Sequence, residues 1–244
     1  MVFEQDVFSR SQLLLGKDAM DRIATKQVIL FGVGGVGSWC AESLVRSGIR
    51  RLTIIDSDIV CPSNVNRQLM ATTQTIGQVK VDALRDRLLA INPNAEITAI
   101  HDVFNEETAD NFDIGSYDYV VDAIDSLKDK ALLILMATKS DVRLFSSMGA
   151  ALKMDPTRIR ISEFWKVHGD PLARALRNRF KRSGQFPSKK FKCVFSDELL
   201  ENKESVVSSG SETVVKSANG SLVHITAMFG LMLASLVIQD AINE

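Results

Sequence analysis

Apolar residues along this chain gather into short runs of five to eight, and the stretches between them carry apolar positions at helical spacing. Thr25 to Phe31 is β-rich and stops at Gly32, which predicts a strand. Ser38 to Ser47 predicts a helix, with Gly48 placed to close it. "RLTIIDSD" is a second apolar run that ends in acids. Val79 to Ile91 has helical spacing, because Val81, Leu84, Leu88 and Ile91 share one face, and Asn92-Pro93 stops it. "AEITAI", "YDYVVDAID" and "VRLFSSMGA" predict further strands, with a helix over Leu127 to Lys139 between the last two. Strand and helix alternate through residue 150. That order implies right-handed βαβ units, so the expected fold class is α/β: a Rossmann-like, mostly parallel sheet with helices on both faces.

The pattern changes beyond residue 150, into a C-terminal β/α portion. "RIRISEFWKV" alternates like a strand with one wet face. A polar, Ser-rich stretch, "ENKESVVSSGSETVVKSANGS", reads as a mobile loop. The run from Leu222 to Ile238 is largely apolar but interrupted by His224, Thr226 and Ser235. Its length is near the lower limit for crossing a bilayer, and a buried terminal helix is preferred over a peripheral membrane attachment.

Composition changes this picture in one place. The 244 residues carry 29 Lys and Arg against 30 Asp and Glu, so the net charge is -1 and no overall basicity announces a nucleic acid. Yet Arg174 to Lys192 holds Arg174, Arg177, Arg179, Lys181, Arg182, Lys189, Lys190 and Lys192, no acid, and three interleaved Phe. Without those eight cations the rest nets 21 − 30 = -9. Such asymmetry suits either a solvated helix face or a surface for a phosphate backbone, with Phe available for stacking. Cys40, Cys61 and Cys193 form no CxxC pair, and a reducing, cytoplasmic setting is expected. The N-terminal "MVFEQDVFSR" has neither the basic start nor the apolar run of a secretion signal.

The chemistry is concentrated after the first strand. Gly32, Gly34 and Gly37, with Gly35 extra, satisfy G-x-G-x-x-G between a strand and a helix. Without Cβ atoms there, backbone N–H groups and the helix N-terminus can approach phosphate oxygens. Asp56 follows Gly37 by 19 residues, at the end of the next strand, placed to accept from ribose hydroxyls; Asp58 lies two further on. This much does not separate a dinucleotide from ATP. "SNVNRQ" then supplies Asn64, Arg67 and Gln68, and Lys80 opens a helix. An Arg and a Lys converging on the turn suit a triphosphate better than a bridging pyrophosphate. Asp125, after the "YDYVVDAID" strand, could hold magnesium, which takes one or two carboxylates plus phosphates.

"GVGGVGS", "IIDSDIVCPSNVNRQ", "IGQVK" and "DAIDS" resemble the superfamily that activates ubiquitin and the thiamine and molybdopterin sulfur carriers. Its members adenylate a carboxylate with MgATP. The resemblance implies ribose contact by Asp56, phosphate contacts by Asn64, Arg67 and Lys80, and magnesium on Asp125. "FSRSQLLLG" resembles the family's arm, which implies a homodimer whose Arg10 completes the partner's ATP site. It also implies a link to a cysteine desulfurase through a sulfur-acceptor protein. Residues 1–150 would then be the arm and ATP-binding half, and 151–244 the half carrying the basic segment, in one continuous domain.

The carrier activators usually have two CxxC pairs, absent from this sequence. "GSWCAESLVRSGI" and "FKCVFSDE" instead resemble the tRNA threonylcarbamoyladenosine dehydratase branch. That resemblance implies adenylation of the threonyl carboxylate on adenosine 37 of tRNA, followed by ring closure with AMP as leaving group. The basic segment would then attract the anticodon stem-loop. The reaction needs no protein nucleophile, so Cys193 reads as a structural thiol. The competing readings are adenylation of a carrier protein's C-terminal glycine, a nicotinamide-dependent dehydrogenase, and a non-catalytic nucleotide sensor.

Overall fold

Seven strands form one sheet in the computed structural model, which describes residues 7–204 and 219–243. They are β1 (Gln27–Phe31), β2 (Arg51–Ile55), β3 (Glu96–Ile100), β4 (Tyr119–Asp122), β5 (Arg143–Ser147), β6 (Ile159–Glu163) and β7 (Lys192–Ser196). Their order is β3-β2-β1-β4-β5-β7-β6, and every neighbouring pair is parallel except β6 with β7. The helices are α1 (Ser9–Leu15), α2 (Lys17–Thr25), α3 (Gly37–Arg46), α4 (Lys80–Ile91), α5 (Leu127–Lys139), α6 (Pro171–Ser183) and α7 (Val223–Ile242).

Both faces of the sheet are covered, which is why its central strands are apolar at consecutive positions rather than alternate ones. Val28 and Leu30 join a core with α3, α4 and α7. Ile29 and Phe31 point the other way, into a core with α5 and α6. Phe31 meets Phe104 and Phe112 edge-on there, at 4.9 and 5.5 Å between centroids. Each large side chain buried this way contributes about 1.5–3 kcal/mol.

The predicted strands and helices are present, with shifted ends. Thr25 belongs to α2, not to the first strand. Helix α3 ends at Arg46 with Ser47 as its cap, and Gly48 follows at φ +104°. The wet-faced strand is β6, at the sheet edge. Residues 205–218 of the expected loop lie outside the described residues.

Helix α7 is 20 residues long with a mean hydropathy of 1.8, enough to cross a membrane by length and composition. It is instead half buried in the protein. Ile225, Phe229, Leu233 and Val237 enter the first core, and Asp240 accepts from the Tyr119 hydroxyl at 2.9 Å and pairs with Arg143 at 2.7 Å. Gly230 permits a close crossing with α3: a Cβ there would lie 2.4 Å from the Val36 carbonyl oxygen and 2.8 Å from the Cys40 nitrogen.

Candidate active site at the glycine turn

The strand order reverses between β1 and β4, so their carboxyl ends diverge into a crevice, the usual ligand position in such sheets. The glycine turn fills the floor of that crevice. Gly32 has φ +86°, and a Cβ on it would lie 2.8 Å from the Ala123 carbonyl oxygen in the β4–α5 loop. At Gly37 a Cβ would meet the Gly32 carbonyl oxygen at 1.8 Å, so the turn can only close with glycine at that position. Gly34 is open, while Gly35 sits against Arg67 and Thr226. Ser38 pins the turn by donating its hydroxyl to the Gly34 carbonyl at 2.7 Å and accepting from the Leu69 N–H at 3.1 Å.

The other sequence-predicted residues converge here from three loops. Asp56 accepts from the Val33 N–H at 2.8 Å and the Asp58 N–H at 2.9 Å, which fixes its carboxylate beside the turn. Lys80 is almost completely buried; its Nζ is 2.7 Å from Asp58 Oδ2 and 4.0 Å from Asp56 Oδ1. Asn64 accepts from the Cys61 N–H at 2.9 Å and so shapes the loop that carries Arg67. The Arg67 guanidinium donates to the Ser63 carbonyl at 2.8 Å and Asn66 Oδ1 at 3.0 Å, and its carbonyl accepts from the Trp39 indole N–H at 3.0 Å. Gln68 is buried with its Nε2 beside Gly34, and its Oε1 has no partner. An unsatisfied buried carbonyl at the turn is costly unless a ligand donates to it. Among the described residues, no three His, Cys, Asp or Glu side chains form a metal cluster. Asp125 is exposed in the loop that touches Gly32, a lone carboxylate that would need phosphate oxygens to complete a magnesium shell.

Arg10 is elsewhere. Its helix α1 borders a cavity of about 970 Å³ that also reaches Met20, Gly48, Arg50 and Asn94. Arg50 is the residue before β2 and Asn94 lies two residues before β3, so this is the end of the sheet opposite the glycine turn.

The basic segment does not form one surface. Asp170 caps α6 by accepting from the Ala173 N–H at 2.8 Å, and its other oxygen accepts from the Gly149 N–H at 3.1 Å beside the end of β5. Burial pushes this carboxyl above the ordinary aspartate range, against the pull of those hydrogen bonds and of Lys153. Burial likewise lowers the Lys153 amine, whose Nζ donates to the Ser196 carbonyl at 3.1 Å and the Glu198 carbonyl at 2.5 Å. Helix α6 buries Ala173, Leu176 and Phe180 and divides its cations between two flanks. Arg179 and Arg182 line an open cleft of about 540 Å³ with Leu127, Ala175, Asn178 and Ser183. Arg174 and Lys181 are exposed on the other flank. Between them Arg177 is committed to packing: it donates to the Phe164 carbonyl at 3.3 Å and lies 5.9 Å over the Phe164 ring. Lys189 binds the Ser140 carbonyl and Asp141 just before β5, away from the turn. Lys190 and Lys192 are exposed. Phe180 and Phe191 belong to the core, which leaves Phe186 as the exposed phenylalanine of the segment.

Sequence reasoning missed the support beneath the crevice. Asp122, at the end of β4, is fully buried with Lys130 Nζ at 2.7 Å, the Ser146 hydroxyl at 2.6 Å and the Ile124 N–H at 3.1 Å. The available signal was a lysine on the apolar face of α5, with Ala131, Ile134 and Thr138. Cys193 lies near this pair, and burial pushes its thiol well up in spite of the Lys130 charge, which keeps it protonated.

Residues 8–243 match the ThiF family. The chain belongs to that family. Over 243 residues it is 37% identical to the tRNA threonylcarbamoyladenosine dehydratase of Bacillus subtilis, covering 97% of this chain and 95% of the relative. The enzyme of the same name from Escherichia coli K12 is 34% identical over 245 residues, covering 93% and 90%. A crystal structure of the E. coli tRNA N6-threonylcarbamoyladenosine dehydratase with ATP superimposes with a TM-score of 0.87 at 31% identity, over 100% of this chain and 97% of that one. This ThiF-family chain is thus similar, along its whole length, to relatives that share one name.

Proposed function

We propose that this chain dehydrates the threonylcarbamoyl group on adenosine 37 of tRNA at the expense of ATP, in the cytoplasm. The observation that carries the reading is the full-length similarity to dehydratases, one of them solved with ATP, in a chain whose own glycine turn is lined by Lys80, Arg67 and an unsatisfied Gln68 carbonyl. The substrate carboxylate attacks the α-phosphorus, the bond to the β-phosphate oxygen breaks, and pyrophosphate leaves. A nucleophile of the same threonylcarbamoyl group then attacks the acyl carbon, and AMP departs with the carboxylate oxygen. ATP becomes AMP and pyrophosphate while the nucleoside loses one water.

The protein's part is positioning and charge stabilisation. Backbone N–H groups of the turn at Gly34, Gly35 and Gly37 receive phosphate, Gly32 shapes the turn while its own N–H donates to the Ile55 carbonyl at 2.8 Å, and Asp56 and Asp58 face the ribose side. Gln68 and Asn64 order the nucleotide's surroundings. Lys80 exchanges Asp58 for phosphate oxygen, and Arg67 leaves the Ser63 carbonyl to do the same. Asp125 would hold magnesium, which supplies charge neutralisation for the departing pyrophosphate. The exposed cations of α6, Arg174, Arg179, Lys181 and Arg182, receive the tRNA backbone.

The reading includes a homodimer with Arg10 acting on the partner's nucleotide. Two observations support it: α1 is at the far end of the sheet from its own chain's turn, and Leu13 and Leu14 on it are 83% and 84% exposed. The two halves act as one continuous domain, since β6 and β7 from the second half extend the sheet of the first. A cysteine desulfurase with its sulfur acceptor is the further partner that the family suggests. Release of AMP and pyrophosphate from MgATP tests the reading, measured with and without threonylcarbamoyl-modified tRNA alongside nucleoside mass spectrometry. Turnover that requires the modified tRNA and removes one water is expected. Pyrophosphate exchange driven by a glycine-ended carrier protein instead would overturn it.

A further inference from the structure

Trp165 and Phe186 stand out once the ATP site and the cationic helix are accounted for. They are 39% and 50% exposed, and their rings meet at 6.1 Å between centroids with a 41° tilt. Most aromatic side chains near them are committed inward: Phe164, Phe180 and Phe191 are buried and in mutual contact. Trp165 belongs to a single 3-10 turn, Phe164–Lys166, fixed by Glu163, which accepts from the Trp165 N–H at 3.2 Å. Edge contact with Phe164 at 5.2 Å supports the indole from behind. Gly184, at φ +68°, ends α6 in a left-handed turn, and the chain then brings Phe186 against Trp165. Two residues 186 − 165 = 21 positions apart thus build one supported, outward-facing aromatic surface.

The charges beside it identify the occupant. Lys166 is the next residue and is exposed. On the facing strand the Phe164 N–H donates to the Phe191 carbonyl and the two rings stack at 5.0 Å, which brings the exposed Lys190, one residue earlier, to this end of the strand; Lys192 alternates with Phe191 and Cys193 onto the other face of the sheet. Exposed aromatic rings with Lys166 and Lys190 next to their supporting residues fit an unpaired nucleobase with its phosphates; every base has a π-face, and unstacked loop bases are what such rings receive. We infer that Trp165 and Phe186 stack an unpaired base of the RNA loop, with Lys166 and Lys190 holding the adjoining phosphates. This rests on the tRNA reading above and adds to it a positioning surface distinct from the α6 cleft.

The test uses the full-length protein, a 17-nucleotide RNA stem-loop and a fully paired RNA duplex of similar charge. Trp165→Ala and Phe186→Ala are each expected to weaken stem-loop binding roughly 10-fold. The slope of log affinity against log salt should stay constant for both, with duplex binding unmoved. Lys166→Ala with Lys190→Ala should instead make that slope shallower by about 0.7 per phosphate lost. Trp165→Phe, which keeps a ring, should bind the stem-loop within about 3-fold of wild type, while the quench of tryptophan emission by the RNA disappears. Wild-type affinity for the stem-loop in both alanine variants overturns the stacking surface alone. A wild-type protein that binds neither RNA overturns this inference together with the tRNA reading.

Discussion

At the scale of single residues, the buried Asp122–Lys130 pair has the largest energetic consequence. Both side chains are fully inaccessible, so neither charge is screened, and removing one strands the other. Lys130→Met should cost about 3–5 kcal/mol in urea unfolding. Adding Asp122→Asn should recover part of the loss, because the amide oxygen still accepts from the Ile124 N–H without needing a counter-charge. A Lys130→Met loss below about 1 kcal/mol would remove the pair from any structural role. The residues that gather at the glycine turn were legible in the sequence, since Gly32, Gly37, Asp56, Arg67 and Lys80 sit in contiguous motifs whose spacing follows from the turn. Lys130 was not, because one lysine among apolar neighbours reads as surface until a tertiary partner is known. For the same reason the eight-cation segment looked uniform, although Arg177 packs on Phe164 and Lys189 is tied to Asp141.

At the scale of elements, two contacts on α3 matter because its N-terminus closes the glycine turn. Glu42 clamps α3 to α4, pairing with Arg87 at 2.6 Å and Arg46 at 2.8 Å. Burial raises its carboxyl, but the hydrogen bonds and charges of the two arginines outweigh that and hold its pKa below the ordinary glutamate value. The folded pKa lies below the unfolded one, so the stabilisation is complete above about pH 4.3 and is lost as pH falls through the folded value. The gap in urea midpoint between wild type and Glu42→Gln should therefore be open at pH 7 and narrow towards pH 3. A gap independent of pH would assign the effect to packing. On the other side, Gly230→Ala drives a methyl into the Val36 carbonyl and the Cys40 amide. We expect a loss of about 1–3 kcal/mol together with weaker ATP binding by calorimetry, because α3 must shift. Unchanged ATP affinity at lowered stability would show that the crossing does not reach the turn.

At the scale of the whole molecule, the arm and the glycine turn are at opposite ends of the sheet, so the proposed role of Arg10 requires a second copy of the chain. Arg10→Ala and Arg67→Ala proteins should each be weakly active, and mixing them should restore activity towards about a quarter of wild type, since random exchange leaves one intact site in half of the dimers. A mixture no better than either parent would show that the sites are not shared. Helix α7 belongs to this scale too. By composition alone it could be a membrane span; its contacts with α3 and β5 and its Asp240 bonds to Tyr119 and Arg143 make it the lid of a core.

The sequence by itself determined the alternation of strands and helices and the chemistry of the turn. Those depend on local backbone sterics and on residues close together in the chain. Tertiary structure alone decided which cations are free for a polyanion, which aromatics face water, where the buried pair sits, and that the arm is remote from its own turn. Each of these depends on contacts between segments tens of residues apart, and such contacts leave no periodic mark on the sequence.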